Sequence, residues 1–481
     1  MASKVLKLIR GYSIFITGLL YIVTALLGVG NWHGILSVAT LLVIVQCITV
    51  TTGLTRFVGY GLFFIGSALL IYNDSTMSTW FNAIIQNGMV LTLIVFVPLM
   101  GLPLSFPKYH AALESMLQKS ITGSRSGIYL LGHGISHLLG SVMNIACISI
   151  TYSVLIIGTG GKYRNMLARA AMRGYGGILF WSPNSAAVGV VLAYWGDDLV
   201  DLILYGLPLA LLTLVVGWLE NRVRYGAAGR KPASNSPGTS NSNERLGASV
   251  QQPDSAAAGG SNINNDENRY IKQLVVGITA MLAIIILLDM LTSISILALV
   301  PLVALIVPLI WVVLTGDMAN YSFEFKKYLT EMIPQMSNEA TIFLGAGFFA
   351  VAVGVSPIGH YLPLLFKSVA GNATLVLLLT GVLIIGLSLF GLHPMLTTTS
   401  ILTAFTPQAL GLSFPFMAMA ILGSFGLAVT CSPFSAGNLN VAAIVGKDST
   451  EVSIKWQLAY TLLMFLVLVI YLNVIKLLFG I

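Results

Sequence analysis

Long apolar runs alternate with short polar segments along most of this chain. A helix that crosses the hydrocarbon core of a bilayer needs about 20 predominantly apolar residues. Nine runs meet this requirement as simple helices, and we expect each to form a transmembrane span: residues 11–29, 33–51, 57–72, 83–104, 198–219, 271–290, 293–315, 337–357 and 453–478.

Four further apolar stretches are too long or too interrupted to be simple helices. The pattern predicts a re-entrant hairpin over residues 126–157 and another over residues 376–407. It predicts a helix broken near its middle over residues 166–195 and again over residues 412–446. Counting the broken helices as spans, we expect an all-α polytopic membrane protein with eleven transmembrane helices and two re-entrant hairpins.

Residues 225–268 differ in character from the rest of the chain. They are rich in Ser, Asn, Gly and Pro without apolar periodicity, which predicts a disordered linker. The linker separates a first repeat, residues 33–224, from a second, residues 269–481, at an offset near 250, and residues 1–32 add an extra N-terminal helix. Because four helices precede the first hairpin and three precede the second, we expect the repeats to be inverted in the membrane.

Basic residues test this topology, because Lys and Arg are enriched in cytoplasmic loops. Only Lys367 lies near the second hairpin, whereas six basic residues flank the first: Lys108, Lys119, Arg125, Lys162, Arg164 and Arg169. The first hairpin is therefore expected to enter from the cytoplasm and the second from outside. The same count places the N-terminus and the linker in the cytoplasm and the C-terminus outside.

The composition agrees with a membrane protein. The chain has 481 residues, of which 56% are hydrophobic and 9% charged, whereas a soluble domain has roughly 25% charged residues. We expect an integral protein of the bacterial inner (plasma) membrane. Basic cytoplasmic loops account for the net charge of +7, so it does not indicate nucleic acid as a partner. Three cysteines, Cys47, Cys147 and Cys431, lie in apolar runs and are expected to be buried small hydrophobes.

The broken helices share a motif. Trp181-Ser182-Pro183-Asn184-Ser185 recurs loosely as Cys431-Ser432-Pro433-Phe434-Ser435, 250 positions later. A proline in a membrane helix frees backbone groups that lipid cannot satisfy, and paired breaks in two half-chains point to a transporter's binding site. The alternative is a proline kink satisfied by neighbouring helices. The candidate binding residues from the breaks are Ser182, Pro183, Asn184, Ser185, Ser432, Pro433, Ser435 and Asn438.

The predicted hairpin tips supply further polar residues at mid-depth. Intramembrane polar side chains usually face protein or a cavity rather than lipid. The alternative is that they only cap the turns. The candidates are Ser141 and Asn144 in the first tip, and His393, Pro394, Thr397 and Thr398 in the second.

Two other features carry charge or metal-binding groups. His133 and His137 are four residues apart, on one face of a helix, a spacing that suits packing, a metal ion or a proton relay. No zinc-protease glutamate follows the first histidine, and no third ligand is obvious nearby. Arg173 either attracts an anionic substrate or extends to the cytoplasmic surface with Arg169.

This arrangement of interfacial helix, hairpin and broken helix, repeated in inverted form, resembles the ion transporter superfamily. That group includes divalent-anion/sodium symporters, arsenite-permease-like proteins and the large membrane subunit of TRAP transporters. The resemblance implies that hairpin tips and helix breaks meet near the membrane midplane. It also implies a transport domain that slides as an elevator against a scaffold, usually in a homodimer.

The hairpin tips depart from the superfamily pattern. Divalent-anion symporters carry Ser-Asn-Thr at each tip, whereas this chain reads Gly140-Ser141-Val142-Met143-Asn144 and Gly391-Leu392-His393-Pro394. Specificity for dicarboxylates and sodium therefore cannot be carried over from the resemblance.

These observations predict a secondary active transporter rather than an enzyme. The sequence lacks a phosphate-binding loop for ATP and an acidic residue at the predicted midplane, so backbone amides and hydroxyls would bind a small organic anion or polar solute. Transport would be coupled to sodium or protons. Sodium as the coupling ion is the only cofactor expected, and the lipid bilayer is expected to surround the protein. Residues 105–197 and 359–448 would move against the remaining helices. The alternatives are a passive channel and an intramembrane metalloenzyme built on His133 and His137.

Overall fold

The computed structural model describes residues 2–28, 32–120, 124–196, 199–226 and 262–480. These residues are helical, with no β-strand among them. The α-helices are α1 (Ala2–Leu27), α2 (His33–Ile48), α3 (Gly53–Tyr72), α4 (Met77–Ile85), α5 (Gly88–Phe96), α6 (Pro107–Ser120), α7 (Arg125–Met143), α8 (Ala146–Gly158), α9 (Arg164–Ile178), α10 (Ala186–Trp195), α11 (Leu199–Gly226), α12 (Asn262–Leu291), α13 (Ile296–Thr315), α14 (Met318–Lys327), α15 (Ser337–Gly354), α16 (Tyr361–Lys367), α17 (Ala373–Gly381), α18 (Leu387–Leu389), α19 (Pro394–Ala404), α20 (Phe414–Cys431), α21 (Ala436–Val445) and α22 (Trp456–Phe479).

Within these ranges, nine helical segments are long and apolar enough to cross a membrane. Large apolar side chains are exposed on their outer faces; Leu204 and Leu211 of α11, for example, are each 60% exposed. Such a surface suits lipid and not water, so the chain is a helical membrane protein. Two of the eleven predicted spans are not among the nine: α2 has only 16 residues, and α9 and α10 are separate short helices.

The predicted linker, residues 225–268, falls mainly on residues 227–261, which lie outside the described part of the chain. The structure places residues 262–268 in the first turns of α12 rather than in the linker.

The stretch from 126 to 157 forms a helical hairpin of α7 and α8, which pack against each other. The chain turns at Asn144, whose φ of 52° is rare for a residue other than glycine. The stretch from 376 to 407 contains α17, α18 and α19, and it turns at residues 390–393 beside Gly391, which has a φ of 95°. A π-helical segment at 382–386 interrupts the first arm of this second hairpin.

Helices α9 and α20, which follow the hairpins, pack against each other in the interior. Their contact depends on small residues, because a Cβ added to Gly426 would lie 2.8 Å from the Gly176 carbonyl and 2.4 Å from the Phe180 ring. Two further contacts between the halves form a matched pair: α10 packs on α19, and α21 packs on α8. The second arm of each hairpin therefore contacts the broken helix of the other half.

An ion pair joins the halves near the end of α13. Lys108 of α6 donates a hydrogen bond to the carboxylate of Asp317, the residue before α14. Burial raises the pKa of Asp317, but its polar surroundings, foremost the hydrogen bond and charge of Lys108, outweigh burial and hold this pKa below its ordinary value. The ionised carboxylate is therefore favoured in the folded protein.

Candidate functional site

The two Ser-Pro motifs end α9 and α20 with the same turn. The Ser182 amide donates to the Ile178 carbonyl and the Ser432 amide to the Ala428 carbonyl, both at 2.9 Å. Each serine hydroxyl then accepts the amide of the residue after the proline, Asn184 at 3.4 Å and Phe434 at 3.3 Å. The prolines remove a backbone donor at the point where the helix stops.

Each of these serines also anchors a hairpin. Ser182 Oγ donates to the main-chain carbonyl of Ser141 at 3.4 Å, and Ser432 Oγ donates to that of Ser388 at 2.7 Å. Both acceptors lie near the C-terminal end of the first hairpin arm, where helix carbonyls lack intrahelical donors. In each half, the serine at the helix break therefore bonds to the hairpin arm just before the turn.

The two breaks differ in the residue after the proline. Asn184 is only 2% exposed, and its side-chain amide donates to the same Ser141 carbonyl that accepts from Ser182. Phe434, at the matching position, is 45% exposed. At the first break, the residue after the proline is therefore a buried amide that bonds to the hairpin. At the second break, the residue in that position is an aromatic ring that faces an open space.

That open space is a cavity of about 380 Å³ beside the second hairpin tip. The tip and the second break form one wall, with α3, α15 and the connection after α21 opposite. Its lining is Thr52, Gly53, Thr55, Val58, Asn338, Ile342, Gly391, Leu392, His393, Pro394, Ser432, Pro433, Phe434, Ser435, Leu439 and Ser449. No Asp, Glu, Lys or Arg belongs to this lining, so polarity comes from hydroxyls, amides and one imidazole.

Three helices begin at this cavity. Thr52, His393 and Ser435 are the N-cap residues of α3, α19 and α21, and all three line it. The amides of a first helical turn are unpaired within the helix and carry the positive end of its dipole. The cavity is therefore neutral in its side chains but electropositive in its backbone.

His393 and Ser435 also hold their helices in place. The Met395 amide donates to His393 Nδ1 at 3.1 Å, so this nitrogen is an acceptor, and the ring packs edge-on against Phe343 at 5.3 Å. The Asn438 amide donates to Ser435 Oγ at 3.2 Å. Both residues were candidates for binding, and both additionally cap a helix.

Asn438 satisfies the carbonyls that the second break releases. Its fully buried side-chain amide donates to the carbonyls of Val429 at 3.3 Å, Thr430 at 2.8 Å and Ser432 at 2.9 Å. These contacts account for the side-chain nitrogen, whereas Asn438 Oδ1 is buried without a hydrogen-bond partner among the described atoms. This outcome matches the alternative interpretation of the motif, in which neighbouring side chains heal the break.

The remaining candidates lie away from the cavity. Ser141, Asn144, Ser182, Pro183, Asn184 and Ser185 belong to the first half, and none of them lines it. Thr397 and Thr398 are buried within α19. Among the described atoms, Asn184 Oδ1, Ser185 Oγ and Thr398 Oγ1 are buried without a hydrogen-bond partner. Such oxygens are the ones that can take a cation or a water molecule.

The histidine pair packs between helices. His137 Nδ1 lies 3.1 Å from the Gly174 carbonyl, and Trp181 Nε1 donates to His137 Nε2 at 3.2 Å. His133 Nε2 lies 3.3 Å from the hydroxyl of Thr213 on α11. Both ring nitrogens of His137 are therefore engaged by protein groups, an arrangement that favours packing over metal ligation.

Arg173 neither reaches the surface nor lines the cavity; its side chain is fully buried. Its guanidinium donates to Glu220 of α11 at 3.0 Å, to Tyr129 of α7 at 3.2 Å and to Gln457 of α22 at 2.8 Å. A fourth hydrogen bond goes to the Trp456 carbonyl at 3.3 Å. We call this group the Arg173 cluster, and it ties four helices from both halves together.

The sequence did not identify several of these participants. Thr52, Asn338 and Ser449 lie at polar helix ends and resemble ordinary loop residues, yet they complete the cavity. Glu220 and Gln457 are 47 and 284 positions from Arg173. No local spacing links such residues to their partners. In comparisons with known proteins, no family model matches the chain, and no curated protein resembles it significantly.

Proposed function

We propose that the protein is a secondary active transporter for a small organic anion or polar solute, as its resemblance to the ion transporter superfamily implies. The observation that carries this proposal is the cavity enclosed by the second hairpin tip, the second helix break, α3 and α15. Pockets in transporters form where helices are discontinuous, because freed backbone groups there bind solute.

The chemistry of the cavity supports that solute class. Three helix N-termini favour a carboxylate or another hydrogen-bond acceptor, and the hydroxyls of Thr55, Ser432 and Ser449 lie in the lining. Phe434 and Leu439 add an apolar surface for a carbon skeleton. Asn184 Oδ1 and Ser185 Oγ, unpartnered in the buried first break, are the oxygens we assign to a sodium ion if sodium is the coupling ion.

We further propose that the halves are inverted repeats working by an elevator motion. The repeated serine turn and the repeated bond from serine to hairpin carbonyl support this. The Arg173 cluster modifies the expected boundary: α11 and α22 are bonded to α9, so they belong with the moving hairpins and not with the scaffold. The scaffold is then α1 to α5 and α12 to α15.

Basic residues indicate which way the cavity faces. Arg56 follows Thr52, Lys326 and Lys327 precede Asn338, and Lys447 precedes Ser449. Because basic loops are cytoplasmic, the cavity opens to the cytoplasm on the proposed orientation. This conformation would be the inward-open state of the transport cycle.

Transport assays in proteoliposomes test the function. A panel of carboxylates, amino acids and sugars would be applied under imposed sodium or pH gradients, recording solute-dependent current or uptake. Uphill accumulation of a solute is expected. Flux that only follows the solute's own gradient would instead support the passive channel.

Two variants link any transport to the cavity. Thr55→Trp narrows it from the α3 side and should reduce uptake at least tenfold, without touching either serine anchor. Ser368→Ala removes an exposed hydroxyl that bonds only to the Leu365 carbonyl, so uptake within twofold of wild type is expected for this control. Normal uptake by Thr55→Trp would remove the cavity from the transport path.

Cysteine labelling tests the inverted topology. Lys162 lies at the base of the first hairpin and Ser368 precedes the second, and both are exposed. The native cysteines are buried, so Lys162→Cys and Ser368→Cys should give a clean signal. We expect an impermeant maleimide to reach Lys162→Cys only from the cytoplasm and Ser368→Cys only from outside. Labelling from the same side would defeat the inverted repeat.

A further inference from the structure

A second cavity lies at the base of the first hairpin, far along the chain from the residues that line the transport cavity. Its volume is about 370 Å³, and it is lined by Arg125, Lys162 and Arg164 together with Gly161, Tyr163, Asn165 and Met166. Of the seven described residues in this lining, three are cationic and none is acidic. Its electrostatic preference is therefore for an anion.

Aromatic rings hold these cations in place. The Arg125 guanidinium and the Lys162 ammonium each lie 5.5 Å from the centre of the Tyr163 ring. Arg164 Nε donates to the Tyr152 hydroxyl at 3.3 Å. Within the described part of the chain, no carboxylate forms a salt bridge with Lys162 or Arg164. Lys162 and Arg164 are thus positioned by neutral groups, and these contacts do not cancel their charges.

The same cavity contains the start of α9. Tyr163 is the N-cap residue, and its side chain accepts no hydrogen bond from the first turn. Residues 164–166, whose amides form that turn, line the cavity. Backbone amides and the helix dipole therefore add to the attraction that Lys162 and Arg164 exert on an anion.

Apolar surface adjoins this basic group. Ile157, in the last turn of α8 just before the loop, is 64% exposed. A basic loop beside an exposed apolar helix face occurs where a protein meets the headgroups and the upper acyl chains of a bilayer. A free phosphate would use the cations and amides alone, whereas a lipid would also use Ile157.

We propose that this cavity binds the phosphate of an anionic phospholipid, with Lys162, Arg164 and the α9 amides holding the headgroup and Ile157 contacting an acyl chain. The bound lipid joins the base of the first hairpin to α9 at the membrane surface. The assignment does not depend on the transport proposal, because it concerns residues outside that cavity.

Lipid titration of delipidated protein in detergent tests this site. Native mass spectrometry would count bound phosphatidylglycerol, with phosphatidylcholine as the zwitterionic comparison, at constant ionic strength. Each basic residue near an anionic headgroup contributes roughly fivefold in affinity, so Lys162→Gln with Arg164→Gln should weaken phosphatidylglycerol binding by about thirtyfold. Lys326→Gln with Lys327→Gln removes the same charge from an exposed site elsewhere and should change it less than twofold.

Three outcomes would overturn the proposal. Equal binding of phosphatidylcholine by wild type would show that charge is not recognised. Unchanged phosphatidylglycerol binding by the Lys162 and Arg164 variant would place the lipid elsewhere. Displacement of lipid by millimolar inorganic phosphate would show a free-phosphate site instead. Ile157→Ser provides a further check: it should weaken phosphatidylglycerol binding while preserving the charges, and an unchanged affinity would remove the acyl-chain contact.

Discussion

Replacing Arg173 with Met should be among the most destabilising single changes in this protein. The guanidinium is fully buried and bonds to Glu220, Tyr129, Gln457 and the Trp456 carbonyl. Methionine fills much of the same space but donates no hydrogen bond. The substitution therefore leaves the Glu220 carboxylate with only the exposed Arg224 as a charged donor and removes the arginine donor from the Trp456 carbonyl.

The expected magnitude comes from these contacts. Breaking a buried ion pair by removing one partner costs about 3–5 kcal/mol. Glu220 also pairs with Arg224 at 2.8 Å, but that side chain is 37% exposed and lies one helical turn away. Exposed pairs of this kind contribute about 0.3–0.5 kcal/mol. Arg224→Ala is therefore a matched control that removes an arginine from the same glutamate.

The assay is reversible unfolding in mixed micelles, followed by tryptophan fluorescence. We expect Arg173→Met to lower the free energy of unfolding by about 3 kcal/mol or more, and Arg224→Ala by less than about 1 kcal/mol. Adding Glu220→Gln to Arg173→Met should recover part of the loss, because the partly buried carboxylate that lost its buried partner is then neutral. Equal effects of the two arginine variants would refute the reasoning.

Three further predictions rest on other contacts. Ser432→Ala should destabilise the fold by about 1 kcal/mol and Ser182→Ala by less, because the Ser432 hydroxyl lies 2.7 Å from its carbonyl acceptor and the Ser182 hydroxyl 3.4 Å from its own; equal losses in thermal unfolding would contradict this. Asn438→Ala should cost about 2–3 kcal/mol by removing the side-chain donor from the buried Val429 and Thr430 carbonyls, measured in the same unfolding assay against Ser368→Ala. Asp317→Asn should lower the melting temperature at pH 7, and the difference from wild type should shrink below about pH 4. The reason is that the pKa of Asp317 is lowered in the folded protein, so this side chain stabilises the fold only while its carboxylate is ionised. A difference in melting temperature that does not depend on pH would contradict this prediction.

Hydropathy predicted the long helices well, because burial in lipid depends on length and apolarity alone. The bounds of α13 and α22, for example, lie within three residues of their predicted runs. The π-helical segment at 382–386 and the turn of 3₁₀-helix at 97–105 were not foreseen. The 3₁₀ segment contains Pro98 and Pro103, whereas the π-helical segment contains no proline, and the lengths of apolar runs carry no information about either.

The site was predictable only in part. The Ser-Pro repeat located both helix breaks, because a proline with neighbouring hydroxyls inside an apolar run usually marks an interrupted membrane helix. The sequence did not reveal that the Asn438 side-chain nitrogen would donate to backbone carbonyls or that Arg173 would form an ion pair with Glu220. Those outcomes depend on which helices become neighbours, and a single sequence does not encode neighbours as a local pattern.

The two serine anchors also bear on how the protein is made. Ser182 bonds to a carbonyl only 41 positions earlier, and Ser432 to one 44 positions earlier. Each hairpin can therefore be fastened to its broken helix soon after that segment leaves the ribosome, before the rest of the chain is translated. The first unit is complete by residue 195, ahead of every residue of the second half. Biogenesis can accordingly proceed in two successive insertions, with docking of α9 on α20 as the final step.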